Sequence, residues 1–201
     1  MNKLEKILCS APAEAHARYL SMNGLYWLWH APEHFLTNFI ANRIFDEIQQ
    51  HVYIDCPLKR IVSDGGLDRR IFGKQNKGMR PDITVWGKKS LNGDFPLEAV
   101  VEIKTRNTME EIYKDFDRVA KLVDKKSGPN RGYVIIYADD AKRKETYIDR
   151  YNSQKIPVKF EKVYEHHGDD VDANDYRWYY CVLKTQKIEI ASSTKKRVSG
   201  D

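Results

Sequence analysis

The sequence predicts an α/β protein whose mixed sheet has about five or six strands, with helices on its faces. Two nearly continuous apolar runs, 97–104 and 132–138, are typical of strands buried on both faces. Between them, apolar side chains recur over 107–124 at the spacing of an amphipathic helix. A buried strand, a helix and a second buried strand predict two parallel strands joined by a crossover helix.

The N-terminal third is predicted to be mostly helical. Residues 1–30 indicate one or two short helices, with a break at Asn23-Gly24. A longer amphipathic helix is predicted from Pro32 to Gln50, because apolar residues follow at steps of four: Leu36, Ile40, Ile44 and Ile48. After Pro57, β-branched residues predict a strand over 59–63, and Asp64-Gly65-Gly66 then turns the chain.

Further strands are expected on either side of the central pair. Residues 82–86 read as a strand that forms a hairpin with 97–104 through an Asn92-Gly93 turn. An extra C-terminal β-hairpin is predicted from strands at 158–164 and 176–184, separated by the acidic turn HHGDDVDAND. We therefore predict a single domain over 1–191, followed by a basic flexible tail over 192–201.

Composition excludes several classes of protein. With 41% hydrophobic residues among 201, the chain has enough apolar material for a core, so wholesale disorder is excluded. No run approaches the roughly 18 apolar residues of a membrane span. Three dispersed cysteines without a CxxC pair argue against a disulfide scaffold and a zinc ribbon, and they favour a cytoplasmic location: Cys9, Cys56 and Cys181.

The chain carries a formal net charge of +5, which fits an ordinary basic protein or one with a polyanionic partner. Five basic residues crowd one glycine-containing segment before the predicted strand at 82–86. They would clamp a phosphate backbone or belong to a solvated loop, and the sequence leaves both interpretations open. These residues are Arg69, Arg70, Lys74, Lys77 and Arg80.

Charged residues at the ends of the central strands are the most informative local feature. Side chains alternate along a strand, so Glu102 and Lys104 share one face while Ile103 points to the other. If the predicted hairpin forms, Asp82 lies beside Glu102. Two carboxylates at one strand end suit Mg²⁺, and without a cation they repel each other. The alternative is a surface Glu–Lys pair with an unrelated aspartate in a turn.

Pro81-Asp82, followed after a turn by Glu102-Ile103-Lys104, resembles the PD-(D/E)XK motif of the restriction-endonuclease-like nucleases. The separation of twenty positions from Asp82 to Glu102 suits two strands of one hairpin. The predicted order of helices and strands also matches the αβββαβ core of that family, over about residues 32–140. We therefore expect a restriction-endonuclease-like core within the α/β fold.

The resemblance implies a Mg²⁺-dependent phosphodiesterase, and it favours DNA over RNA as the substrate and an endonuclease over an exonuclease. Asp82, Glu102 and the carbonyl of Ile103 would hold Mg²⁺, with Mn²⁺ as a substitute, and Lys104 would orient the attacking water. Such nucleases often work as homodimers or in larger complexes. The alternative is a non-catalytic nucleic-acid-binding or assembly subunit with the same fold.

The family often adds an acid on its first helix, and Glu33 is the candidate here. It lies in line with Leu36 and Ile40 at the start of the predicted helix, which would turn it toward the sheet. The alternative is a carboxylate that is favoured only by the helix dipole.

Two other charged groups have competing interpretations. Asp115 and Arg118 would point back toward the site or form an ordinary helix-surface pair three residues apart. His166-His167 with the acids that follow has the composition of a metal cluster, but a solvated turn is favoured because adjacent side chains diverge.

Overall fold

The computed structural model describes residues 1–23, 33–65, 80–89, 95–105, 108–123, 128–138, 148–154, 158–171 and 177–187. They form an α/β fold, a six-stranded mixed sheet flanked by helices. In chain order the elements are α1 (Lys3–Asn23), α2 (Glu33–Ile48), β1 (His51–Ile54), α3 (Leu58–Asp64), β2 (Ile83–Trp86), β3 (Leu97–Thr105), α4 (Met109–Val123), β4 (Arg131–Ala138), β5 (Val158–Val171) and β6 (Arg177–Lys187).

The strands lie in the order β1-β2-β3-β4-β6-β5. β3 and β4 are parallel, which confirms the predicted crossover through α4, and the other neighbouring pairs are antiparallel. Every residue of β3 but two is buried, as expected for a strand with a layer of side chains on each face. The predicted C-terminal hairpin is also present, with β6 placed between β4 and the edge strand β5.

Each face of the sheet has its own apolar core. On one face, Val101, Ile103 and Ile135 pack with α1 and α2. On the opposite face, Val100, Val134 and the buried side of α4 pack with α3. The alternation of side chains along β3 therefore sends Glu102 and Lys104 to the α4 face.

The N-terminal segment is one helix of 21 residues, α1, and not the one or two short helices that the sequence suggested. Its start is a capping box in which Asn2 Oδ1 accepts the Glu5 N–H and Glu5 Oε2 accepts the Asn2 N–H, both at 3.0 Å. Glu5 is also held by Tyr133 and Lys184, which fixes the helix to the sheet. Gly24 lies outside the described residues.

The strand predicted over 59–63 is wrong, because these residues belong to helix α3. Pro57 lies at the N-cap in an extended conformation, and Leu58, Ile61 and Val62 are buried at helical spacing. Gly65 then caps the helix with an N–H bond to the Ile61 carbonyl, so the predicted turn is a helix end. The edge strand beside β2 is β1, which comes before Pro57.

The predicted turn HHGDDVDAND is also wrong at its start, since β5 continues to Val171. Successive histidines point to opposite faces: His166 lies against Trp178, and His167 lies against Tyr179. They are therefore parts of a strand and do not converge on one metal.

At the outer edge of β5, the Asn152 amide bonds both the N–H and the carbonyl of Phe160, at 2.9 and 2.7 Å.

The structure also bears on the cysteines, on the length of the helices and on the predicted turn and tail. The three cysteines are buried and free. Among the helices that the structure describes, none has the length and apolar character needed to cross a membrane. Both Asn92-Gly93 and the tail over 192–201 lie outside the described residues.

Candidate active site

The register of the β2–β3 hairpin brings Asp82 and Glu102 together. Ile83 pairs with Val101, so Asp82, one residue before β2, lies opposite Glu102 on β3. The Ile103 N–H donates to Asp82 Oδ2 at 2.6 Å, which fixes the carboxyl group against the edge of β3. The backbone of Asp82 is tied down on its other side, because its carbonyl accepts the Asp55 N–H at 3.1 Å.

The two carboxyl groups are close enough to share a hydrogen bond. Burial raises the pKa of Asp82 above its ordinary value, although the Ile103 N–H opposes the rise. Glu102 is fully buried, and this burial, with the charge of Asp82, raises its pKa well above the ordinary value. The structure thus holds two acids in contact at a place where ionising both is unfavourable.

Helix α4 covers this pair with one acid and one base. Arg118 Nη1 lies 2.9 Å from both carboxylate oxygens of Glu102, and its Nη2 lies 3.1 Å from Asp115 Oδ1. Asp115 is 1% exposed, and its burial raises its pKa to about 6, against the charges of Lys104 and Arg118. The charged pair on α4 therefore faces the sheet.

Lys104 lies beside the same group, at the C-terminal end of β3. Its Nζ is 3.0 Å from Glu33 Oε1 and 3.5 Å from Asp115 Oδ2. Burial opposes the charge of this ammonium, but the surrounding carboxylates, led by Asp115, more than offset it and raise the pKa of Lys104. Lys104 is thus a cation at the pH of the cell.

Glu33 is the first residue of α2 and reaches the site from the other layer of the fold. Besides its contact with Lys104, its Oε2 lies 3.5 Å from the Thr105 N–H. Its side chain is 31% exposed, so it lies at the rim and not inside the core. The structure therefore places all four sequence-predicted side chains in one connected group: Glu33, Asp82, Glu102 and Lys104.

The basic segment is only partly described. Arg69, Arg70, Lys74 and Lys77 lie outside the described residues. Arg80 is exposed and comes two residues before Asp82, at the side of the site where the chain enters β2. Trp86, the last residue of β2, is 1% exposed and belongs to the core, so it offers no surface for stacking.

The sequence left the role of Asp115 and Arg118 open, because the two residues fitted a helix-surface pair as well as a place beside the site. A signal was nevertheless present. Asp115 lies three residues after Ile112 and four before Val119, within the apolar face of α4. An acid on that face must be paired, because burying it alone is costly.

The chemistry of the donor set fits a hard divalent cation. Asp82 and Glu102 offer carboxylate oxygens at one place, and a cation between them would relieve their repulsion. Within the residues that the structure describes, no three or more His, Cys, Asp or Glu side chains are grouped to hold a metal ion. One or two carboxylates, several waters and substrate phosphate oxygens are the usual surroundings of Mg²⁺.

The charges of the group agree with this donor set. The group contains four acids and two bases, so it carries two excess negative charges when all are ionised: Glu33, Asp82, Glu102 and Asp115 against Lys104 and Arg118. A phosphate would be repelled from such a group unless a cation joined it.

In comparisons with known proteins, no family model, no curated protein and no solved structure matches this chain.

Proposed function

We propose that this protein is a metal-dependent nuclease with a restriction-endonuclease-like core, which hydrolyses phosphodiester bonds of DNA. The observation that carries the proposal is the contact between Asp82 and Glu102, with Lys104 on the same face of β3. A purely structural role does not explain why two acids are buried in contact, because the charge of Asp82 adds to the cost of ionising the buried Glu102.

Asp82 and Glu102 are the residues that would hold Mg²⁺, or Mn²⁺ in its place. The carbonyl of Ile103 would join them, because the N–H and C=O of one strand residue leave on the same edge, and the Ile103 N–H points to Asp82. When bound, Mg²⁺ supplies a Lewis acid for the phosphate and a lowered pKa for its water.

Lys104 would orient the attacking water and stabilise the negative charge that develops on the phosphate. Glu33 and Asp115 hold its ammonium from two sides, at 3.0 and 3.5 Å, so the group is positioned before a substrate arrives. Glu33 thereby acts at the rim of the site through Lys104.

The nucleic acid would reach the site along the basic segment. In this proposal Arg80, with Arg69, Arg70, Lys74 and Lys77, contacts the phosphate backbone, and the net charge of +5 favours the encounter. A homodimer or larger complex is part of the proposal, since the described part of one chain offers one such group of residues.

A second candidate is a non-catalytic nucleic-acid-binding or assembly subunit with the same fold. One observation favours it: the Arg118 guanidinium already faces both oxygens of Glu102. In a subunit without catalysis, Arg118 would neutralise Glu102 at all times, and no metal ion would bind there.

The experiment is a plasmid-nicking assay with Mg²⁺, with Mn²⁺ and with EDTA, on the unaltered protein and on Asp82→Asn. We expect nicking with either metal and none with EDTA or with the variant. Nicking that survives EDTA, or that Asp82→Asn retains, would contradict the proposal. Binding of DNA without cleavage under all three conditions would favour the second candidate.

A further inference from the structure

The guanidinium of Arg118 contacts both carboxylate oxygens of Glu102. One nitrogen, Nη1, lies 2.9 Å from Oε1 and 2.9 Å from Oε2, so both carboxylate oxygens face the same positive group. Glu102 is fully buried, and a buried carboxylate without such a partner would be strongly destabilising. Arg118 therefore supplies the positive charge that this acid contacts.

The oxygens held by Arg118 are the ones that the proposed Mg²⁺ site needs. A cation and a guanidinium cannot face the same oxygens at full strength, because two positive charges a few ångströms apart repel each other. Adding a cation to the present arrangement would place it against Arg118. Cation binding must therefore change the Arg118–Glu102 contact.

Arg118 has a second anchor that makes such a change feasible. Its Nη2 contacts Asp115 Oδ1 at 3.1 Å, on the same helix and one turn away. Its side chain is 29% exposed, so it has solvent on one side, whereas Glu102 is fully enclosed. The guanidinium can leave Glu102 and remain paired with Asp115.

We propose that Arg118 is a placeholder for the divalent cation: it neutralises Glu102 when no cation is bound, and it yields Glu102 to the cation while keeping Asp115. The proposal rests on the cation site of the proposed function. Cation binding is then an exchange of one positive group for another, and Arg118 is a positioning residue that sets cation affinity.

The test is Mn²⁺ binding to the full chain without nucleic acid, followed by the electron paramagnetic resonance of free Mn²⁺. Four proteins are compared with the unaltered one: Arg118→Met, Arg118→Lys, Asp82→Asn, and the control Lys114→Met. Lys114 is an exposed cation on the same helix that pairs with Glu110. Circular dichroism and thermal melting establish that each variant is folded.

We expect Arg118→Met to bind Mn²⁺ about tenfold or more tightly than the unaltered protein, because a competitor and a repelling charge are both removed. Lys114→Met should be unchanged. Arg118→Lys keeps the charge but loses the forked geometry of the guanidinium, so its affinity for Mn²⁺ should rise only a few-fold. This variant replaces Arg118→Met in the comparison if Arg118→Met does not fold. A merely structural role of Arg118 would not raise the affinity.

If the Arg118 variants bind Mn²⁺ equally or more weakly than the unaltered protein, and Asp82→Asn still loses binding, the proposed role of Arg118 is wrong. The proposed cation site then stands. Binding that Asp82→Asn leaves intact would overturn the proposed cation site itself. A lack of Mn²⁺ binding by every protein would overturn both.

Discussion

The role proposed for Lys104, orienting the attacking water, differs from the role proposed for Asp82, which is to bind the cation. Lys104 lies between Glu33 and Asp115, and its ammonium stays charged because those acids surround it. Asp82 instead lies at the carboxylate pair. The two residues should therefore fail in different ways when they are replaced.

We expect Lys104→Met to lower cleavage by about 10²–10³, the effect of losing one preorganised charge donor, while DNA binding changes little. The methionine keeps the aliphatic stem, which limits the loss of packing. Single-turnover cleavage and DNA binding are the measurements, with Lys114→Met as the control. Near-normal cleavage by Lys104→Met would show that this lysine is only a partner of the acids around it.

Asp115 gives the site a pH dependence that can be measured as stability. Its pKa is about 6 in the folded protein against an ordinary 3.8, so folding favours its protonated form. That contribution is complete below about pH 4 and is lost as the pH rises through about 6. Asp115→Asn stays neutral at every pH and does not lose it.

The stability of Asp115→Asn relative to the unaltered protein should therefore rise by roughly 3 kcal/mol between pH 4 and pH 7.5. Urea unfolding at the two pH values measures this difference. Asp149→Asn, which changes an exposed aspartate, serves as the control. A difference between variant and unaltered protein that is constant with pH would contradict the placement of Asp115 among the buried charges.

At the level of the elements, the site depends on how closely α4 lies on the sheet. Gly132 on β4 makes the close approach possible, because a Cβ there would meet Val119 and Val123 of α4, the latter at 2.8 Å. On its other side the same Cβ would lie 2.9 Å from Thr185 Cγ2. Any side chain at this position must push α4 away from the strands.

We expect Gly132→Ala to destabilise the fold by about 1–3 kcal/mol through overpacking, and to lower cleavage because α4 carries Asp115 and Arg118. Thermal unfolding and the nicking assay measure the two effects. Gly87→Ala is the matched control, because the atom nearest to its Cβ is the movable end of the Glu98 side chain. Equal effects of the two substitutions would mean that the approach of α4 is not critical.

The elements that the sequence predicted correctly are those whose burial leaves a strong pattern. β3 and β4 are mostly apolar and buried on both faces, and α2 repeats its apolar residues every four positions, so tertiary contacts agree with local preference. The sequence predicted a strand in place of helix α3 because Ile61 and Val62 are β-branched, which favours strands. In the structure these two residues pack in the core together with Leu58, at helical spacing.

The candidate site was predictable to the extent that strand alternation determines it. Glu102 and Lys104 had to share a face, and the hairpin register then brought Asp82 to Glu102. The pairing of Asp115 with Arg118 did not show where they lie, because an acid and a base three residues apart occur both on surfaces and over sites; only the place of Asp115 on the apolar face of α4 indicated burial. The packing of α4 on β4 makes the difference.

For the whole molecule, the distribution of charge bears on the proposed binding of nucleic acid. The chain is positive overall, at +5, whereas the group around Asp82 has two more acids than bases. Under the proposed function, a polyanion would be attracted to the protein but repelled at the ionised acids until a cation is bound. The proposed function therefore depends on a cation between Asp82 and Glu102.

Anomalous diffraction from crystals soaked in Mn²⁺ measures that cation directly. We predict an anomalous peak about 2 Å from carboxylate oxygens of both Asp82 and Glu102, which Asp82→Asn crystals lack. Saturating Mn²⁺ that leaves no peak at these oxygens, with Arg118 still bonded to both oxygens of Glu102, would contradict a cation site here and the metal-dependent hydrolysis built on it.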